Sequence, residues 1–496
     1  MTAEFTPAPR RPAPRRPAPT TRARRQWRIG VVSAALVAAL GLGTSLSAAA
    51  SAASSPGSPF AGSSVFAVQG FPAPGTPPQY NHVMVRRFGS PNASKVLVLV
   101  PGDLAGAADF NIVGPYLAAH VPGLQVWAEM RREGALEDNS VLLKALHGTA
   151  TLQDAFNYYL GWLDNPAISP HYQPLNAKQY GFVDQWGLNV AMEDLHAVIL
   201  KARDHGHRTV ILGGHSLGGA EAAIYPTWDF GGRGGYQDIA GIVGIDGGAL
   251  GGVGGNPASI TTVPQAQAAL QTLVTKGPWQ DLLGLGLPWV TGPFAELGAL
   301  NALKDPNGPS IQQQFPLLPA AFKPSVPATN LAQLGYAFDA STSPAALALI
   351  HVHSGHLAAS GTPRGWVNDG PTPAQNIALA FSQEPLGPVD WYFPERLGID
   401  VGAAGELQET PAAQYLGLHL AHLHQVNVPL YVIQTSLGGT NNAVANGAKL
   451  YQQESKIPRV TIVNRASTYS HLDPLLAAPA HNAFLQTVVP WLMRIK

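Results

Sequence analysis

The segment Gly213-Gly214-His215-Ser216-Leu217-Gly218-Gly219 sets a serine between glycines two residues to either side. It follows the apolar run Thr209-Val210-Ile211-Leu212 and leads into Ala220-Glu221-Ala222-Ala223-Ile224, a helical stretch. A serine on a sharp strand-to-helix turn needs strained backbone angles, and the flanking glycines let neighbouring backbone approach closely. The helix behind it would favour an alkoxide and a tetrahedral oxyanion, so Ser216 reads as a nucleophile for acyl transfer. The bland alternative is an incidental turn in a chain with 53 glycines. The chain has no cysteine, which excludes thiol nucleophiles, disulfides and thiolate metal sites. Two histidine groups, His351, His353 and His356, and His419, His422 and His424, have spacings that could converge on a metal. No neighbouring residues complete a ligand set, so no metal is assigned, and no cofactor is implied. His215 should point away from Ser216 on so sharp a turn and reads as structural.

The serine motif in this setting resembles the nucleophile elbow of the α/β-hydrolase superfamily, especially of its bacterial lipase and esterase members, over about residues 64–251 and 428–496. That resemblance implies an α/β fold with a mostly parallel sheet, an inserted helical cap, and acyl transfer to water. It implies a general base on a loop after the last strand, where His471 lies in Ser467-Thr468-Tyr469-Ser470-His471-Leu472-Asp473-Pro474. Superfamily members often carry their acid after the seventh strand, but Gln434-Thr435-Ser436-Leu437-Gly438-Gly439-Thr440-Asn441-Asn442 has no carboxylate there. Some lipases place it after the sixth strand, where Ile245-Asp246-Gly247-Gly248 offers Asp246, in the chain order serine, acid, histidine. The alternative for Asp246 is a loop-capping carboxylate, and Asp473 reads as a turn residue. The oxyanion donors implied are the backbone N–H groups of Leu217 and of Asp103, in the loop opened by Pro101-Gly102. Pro101 departs from the common His-Gly of the superfamily, which leaves Leu104 as another candidate for the second donor.

These residues need a sheet to position them, and the chain supplies its elements. Runs at 64–68, 82–87, 95–100, 124–130, 209–213, 239–245, 429–434 and 459–463 read as strands, alternating with helical patterns at 188–202 and 482–493. Between about 251 and 421 this rhythm gives way to Pro-punctuated apolar helical pieces, such as 279–300. So long a gap is not plain loop, and it reads as the inserted cap. The division is a leader at 1–52, a linker at 53–64, a core at 65–251, a cap at 252–424 and a second core segment at 425–496. Trp279, Leu282, Leu283, Leu285, Leu287, Trp289 and Phe294 crowd one short stretch of the cap. Trp279 and Trp289 are taken from it as candidate acyl-binding residues, the alternative being that they form the cap's own core.

The leader carries eight arginines and one glutamate, then the apolar run 29–46 and small residues ending at Ala50-Ser51-Ala52. This is the order of a secretory signal, so a secreted or cell-surface protein without a stable membrane span after processing is expected; an uncleaved anchor is the alternative. Without 1–52 the chain keeps 22 basic and 29 acidic residues, a net charge of −7. That charge lacks the basic surface nucleic-acid binding needs. The expected partner is a small-molecule or lipid ester, cleaved through an acyl-enzyme. An amidase or acyltransferase using the same triad is the rival enzyme reading, and a non-catalytic binding protein of the same fold the other.

Overall fold

A computed structural model describes residues 62–250, 260–382, 387–438 and 441–496. The leader and most of the linker lie outside the described residues, as does the start of the cap. One eight-stranded sheet organises the described chain. It comprises β1 (Ser63–Gln69), β2 (His82–Phe88), β3 (Lys95–Val100), β4 (Leu124–Met130), β5 (Thr209–His215), β6 (Ile242–Ile245), β9 (Leu430–Gln434) and β10 (Val460–Asn464). A separate hairpin holds β7 (Gly355–Gly361) and β8 (Arg364–Asn368).

The spatial order is β1-β2-β4-β3-β5-β6-β9-β10, with β2 antiparallel to both neighbours and every later pair parallel. This is the strand order of the α/β-hydrolase fold. The central strands are apolar because helices cover both faces of a parallel sheet. Val96, Leu97, Val98, Leu99 and Val100 of β3 are all fully buried, each contributing roughly 1.5–3 kcal/mol of apolar burial. One face packs under the helix Leu188–Arg203, the other under Val113–His120 and Ala483–Leu492.

Register places the loops that matter. Val100 pairs with Gly214, so β3 and β5 end side by side, and the loop after β3 lies beside the turn after β5. His215 pairs with Ile245 and Ile245 with Ile433, which brings the ends of β6 and β9 into the same row. Crevices at the carboxyl ends of parallel strands are where such sheets bind ligands.

Between β6 and β9 the chain forms the helices Val263–Lys276, Thr291–Lys304, Asn330–Phe338, Ala374–Phe381, Glu395–Ala404 and Pro411–Leu416, with the β7–β8 hairpin among them. The hairpin was not read from the sequence. Nor does helix run through the whole of 279–300: Gly284 and Gly286 take positive φ of 63° and 72°, and the Asp281 carboxylate accepts hydrogen bonds from Leu285 N and Gly286 N. The α-helix starts only at Thr291, after a single 3-10 turn at Pro288–Val290. The excursion between β4 and the helix at 188 packs on this insertion through Phe156–Phe315, Tyr172–Trp289 and Trp162–Trp289 ring contacts. Among the described residues no helix is long and apolar enough to cross a membrane.

Candidate active site

Ser216 has φ 54° and ψ −121°, a conformation an L-residue holds only when its surroundings enforce it. The enforcement is visible at the two motif glycines. A Cβ on Gly214 would lie 2.0 Å from the Gly218 carbonyl oxygen, and one on Gly218 would lie 2.2 Å from that of Val100. Ser216 N donates to Ile245 O at 2.9 Å, pinning the turn to the sixth strand. The helix Leu217–Ile224 begins at the next residue; Gly219 N and Ala220 N bond back to Ser216 O, while Leu217 N–H, the first of the helix, has no carbonyl of the helix to donate to.

Asp246 follows β6, and its N–H donates to Ile433 O at 2.8 Å. Its carboxylate meets His471 Nδ1 at 2.6 Å and accepts from Thr435 N at 2.6 Å and from Thr435 Oγ1. Asp246 and His471 are each 1% exposed, so the pair is out of water. Burial by itself would raise the Asp246 carboxyl, but the hydrogen bonds from His471 and Thr435 outweigh it and hold it below the usual carboxylate range. With Nδ1 bonded to a carboxylate, the other ring nitrogen of His471 is left as the acceptor. Thr435, just after β9, thus donates twice to a carboxylate that follows β6.

His215 packs its ring 4.3 Å from that of His471, and its Nε2 lies 3.1 Å from His471 O. Burial pushes its imidazole down to about 3, so it is neutral and donates to that carbonyl. It thereby supports the backbone of the histidine loop. Asp473 supports the loop from the far side, accepting from Ser470 N, His353 N, His353 Nδ1 and Thr372 Oγ1. Leu472 N donates to His351 O at 3.0 Å. The histidine loop is thus tied to the insertion, and Asp473 makes no hydrogen bond to His471 itself.

Ser216 and His471 both line one cavity of about 310 Å³. Gly102, Asp103 and Leu104 form its wall beside the serine, with Leu104 at φ 54°. Arg131, buried beneath this loop, donates to Pro101 O at 2.6 Å, to Gly102 O at 3.1 Å and to Glu221 Oε1 at 2.7 Å. One guanidinium therefore joins the loop after β3 to the helix behind Ser216. Burial works against its charge, but the neighbouring carboxyl groups, Glu221 first, outweigh it and keep the guanidinium protonated. The sequence offered no signal for this clamp beyond an arginine at the end of a buried strand.

The rest of the wall is apolar and comes largely from the insertion, including Leu282, Leu283, Phe294, Phe322, Phe338 and Phe381. Trp279 and Trp289, the acyl-binding candidates from the sequence, are not on this wall. Trp279 packs against Tyr392 and Tyr180, and Trp289 against Tyr172 and Trp162, 6% and 2% exposed. Both belong to an aromatic core. Their neighbours Leu282, Leu283 and Phe294 reach the cavity.

The two histidine groups make separate contacts. His356 pairs with Asp369, His353 with Asp473, and His351 with Pro344 O, while His424 meets Glu454 O and His422 meets Gln425. Among the described residues no three His, Asp or Glu side chains converge as metal ligands.

No protein-family model and no curated protein matches the chain. Among solved structures it is similar to a protein from Sulfolobus solfataricus presented as a lipase, with 14% identity, 88% of this chain and 94% of that chain covered, and a TM-score of 0.45. It is also similar to the monoacylglycerol lipase of Paleococcus ferrophilus, at 13% identity, with 83% and 98% covered and a TM-score of 0.38. A third similar structure is an epoxide hydrolase from an endophytic Streptomyces, at 13% identity, with 87% and 95% covered and a TM-score of 0.38. The fold itself rests on strand order and connectivity.

Proposed function

We propose that the chain is an exported serine hydrolase that cleaves lipophilic carboxylic esters through an acyl-enzyme on Ser216. The observation that carries this reading is the single cavity holding Ser216 and His471, with His471 bonded to the buried Asp246 and the remaining wall mostly apolar. In the proposed reaction Ser216 Oγ attacks the ester carbonyl carbon while His471 Nε2 takes the hydroxyl proton. Asp246 keeps the imidazole in the required tautomer and stabilises its cationic form. The carbonyl oxygen, now an oxyanion, accepts from Leu217 N–H at the helix start and from Asp103 N–H across the cavity. Collapse breaks the bond to the leaving alkoxide, which leaves as the alcohol with the proton from His471. Water then attacks the acyl-enzyme by the same route and releases the acid. The acyl group lies against Leu282, Leu283, Phe294, Phe322, Phe338 and Phe381. Export rests on residues 1–52, and N-terminal sequencing of protein recovered from the medium tests it.

A fluorophosphonate probe and p-nitrophenyl octanoate test the chemistry together. Labelling at Ser216 and hydrolysis, both lost in Ser216→Ala and in His471→Ala, are expected. A folded protein that neither labels nor hydrolyses ester would overturn the enzyme reading, and preferred cleavage of amides or transfer to an added alcohol would replace the ester one.

A further inference from the structure

Apart from Ser216 and His471, four polar side chains line the cavity: Asp103, Asp109, Thr291 and His215. Each has a buried polar atom without a hydrogen-bond partner, namely Asp103 Oδ1, Asp109 Oδ1, Thr291 Oγ1 and His215 Nδ1. Buried polar groups are almost always paired, so four orphans around one apolar cavity need an account. Asp103 and His215 have partners for their other polar atoms, the Leu104 N–H and Gln280 for the first and His471 O for the second. Thr291 Oγ1 and Asp109 Oδ1 remain, and Asp109 is the ionisable one of the two. It is 3% exposed, sits in the turn Ala107–Phe110, and its buried Oδ1 has no hydrogen-bond partner among the described residues.

Resting on the esterase reading, we propose that Asp109 is a specificity residue that binds a hydroxyl group carried by the ester substrate, on its acyl chain or its alcohol. An ionised carboxylate with no donor beside it is expensive in an apolar wall, whereas a neutral carboxyl group both donates and accepts, as a hydroxyl does. Burial holds the Asp109 carboxyl well above its ordinary range, against the opposing pull of Arg131. The Arg131 guanidinium also disfavours a cationic group nearby, so an alcohol fits the site better than an ammonium. A substrate hydrocarbon without an oxygen at this point would leave the carboxyl unpaired in the closed complex, which lowers its transition-state binding.

The test compares kcat/KM for p-nitrophenyl octanoate with p-nitrophenyl 3-, 6-, 7- and 8-hydroxyoctanoate, and for propyl octanoate with 2-hydroxypropyl octanoate. p-Nitrophenyl 8-aminooctanoate serves as the cationic control. The wild-type enzyme is expected to favour at least one hydroxylated ester over its parent by about ten-fold, and which arm responds places the hydroxyl on the acyl or the alcohol side. Asp109→Leu should reverse that preference, and Asp109→Asn should keep most of it. Labelling of Ser216 by a fluorophosphonate in each variant reports an intact site. If Asp109→Leu does not fold, the wild-type series and Asp109→Asn decide. No hydroxyl preference in either wild-type arm, a preference that survives Asp109→Leu, or preference for the amino ester would each overturn the proposal while leaving the esterase standing. Failure to hydrolyse any of these esters would remove both.

Discussion

Replacing Arg131 with methionine isolates the clamp between the loop after β3 and the helix behind Ser216. The substitution removes three hydrogen bonds from one guanidinium, to Pro101 O, Gly102 O and Glu221 Oε1, and leaves the 2% exposed Glu221 without its ion-pair partner. Breaking a buried pair on one side costs about 3–5 kcal/mol, mostly from the carboxylate left behind. That is a large share of a typical stability of about 5–15 kcal/mol. Arg131→Met/Glu221→Gln removes the stranded charge and should recover about 1–3 kcal/mol. Neither variant restores the tether on Pro101 and Gly102, so both should lose turnover. The loss has an upper scale of about 10² to 10³, the effect of removing one oxyanion donor. Urea denaturation read by tryptophan fluorescence gives the stability, and kcat on p-nitrophenyl octanoate gives the turnover. Recovery of full kcat by the double variant would refute the tether, because it would assign the whole defect to the unpaired Glu221.

The site makes three further predictions. Asp246→Asn should lower kcat by about 10⁴ while Ser216 still labels slowly, and Asp473→Asn should do less because it reaches His471 only through the loop; a reversed ranking in steady-state assays would move the acid role. Along p-nitrophenyl esters of rising chain length, kcat/KM should climb about four-fold per methylene until the cavity is full, and Phe322→Ala and Phe338→Ala should change the profile where Trp289→Ala alters mainly stability; a flat wild-type profile counts against the acyl wall. Burial pushes Glu129 up to about 8 and Glu133 up to about 7, so the folded state keeps protons that the unfolded chain has released. Their contribution is full below about pH 4.5 and is lost as pH rises through 7 to 8, so urea midpoints should fall between pH 5 and pH 8, and less steeply in Glu129→Gln.

The parts of the site legible in the sequence are those where backbone geometry dictates residue type. The turn at Ser216 tolerates only glycine at 214 and 218, because backbone carbonyls occupy the space a Cβ would need. The apolar runs of β3 to β6 announce strands buried on both faces, and their bounds fall within a few residues of the runs. The resemblance points to the loop after the sixth strand for an acid, and the structure sets the Asp246 carboxylate of that loop against His471 Nδ1. Less was legible where side-chain facing decides. In 279–294 the large apolar residues look equivalent, and nothing in their types separates Leu282, Leu283 and Phe294, which line the cavity, from Trp279 and Trp289, which pack in the core. The β7–β8 hairpin was illegible because its strands are half-exposed and lack clean alternation. Arg131 and Asp109 gave no warning, since nothing local marks a charge whose partners lie far away in sequence.

The ties at Asp473 bear on how such a chain could be rebuilt. Its carboxylate accepts from Thr372 and His353 of the insertion and from Ser470 of the loop carrying His471, while Leu472 N is bonded to His351 O. The insertion is therefore no detachable module. A chimera that exchanged residues 252–424 alone would import a new wall and orphan the carboxylate beneath the histidine loop. Grafting has to carry that loop with the insertion as one cassette, and recombination between homologues is expected to keep the two segments together although about fifty residues separate His424 from Asp473.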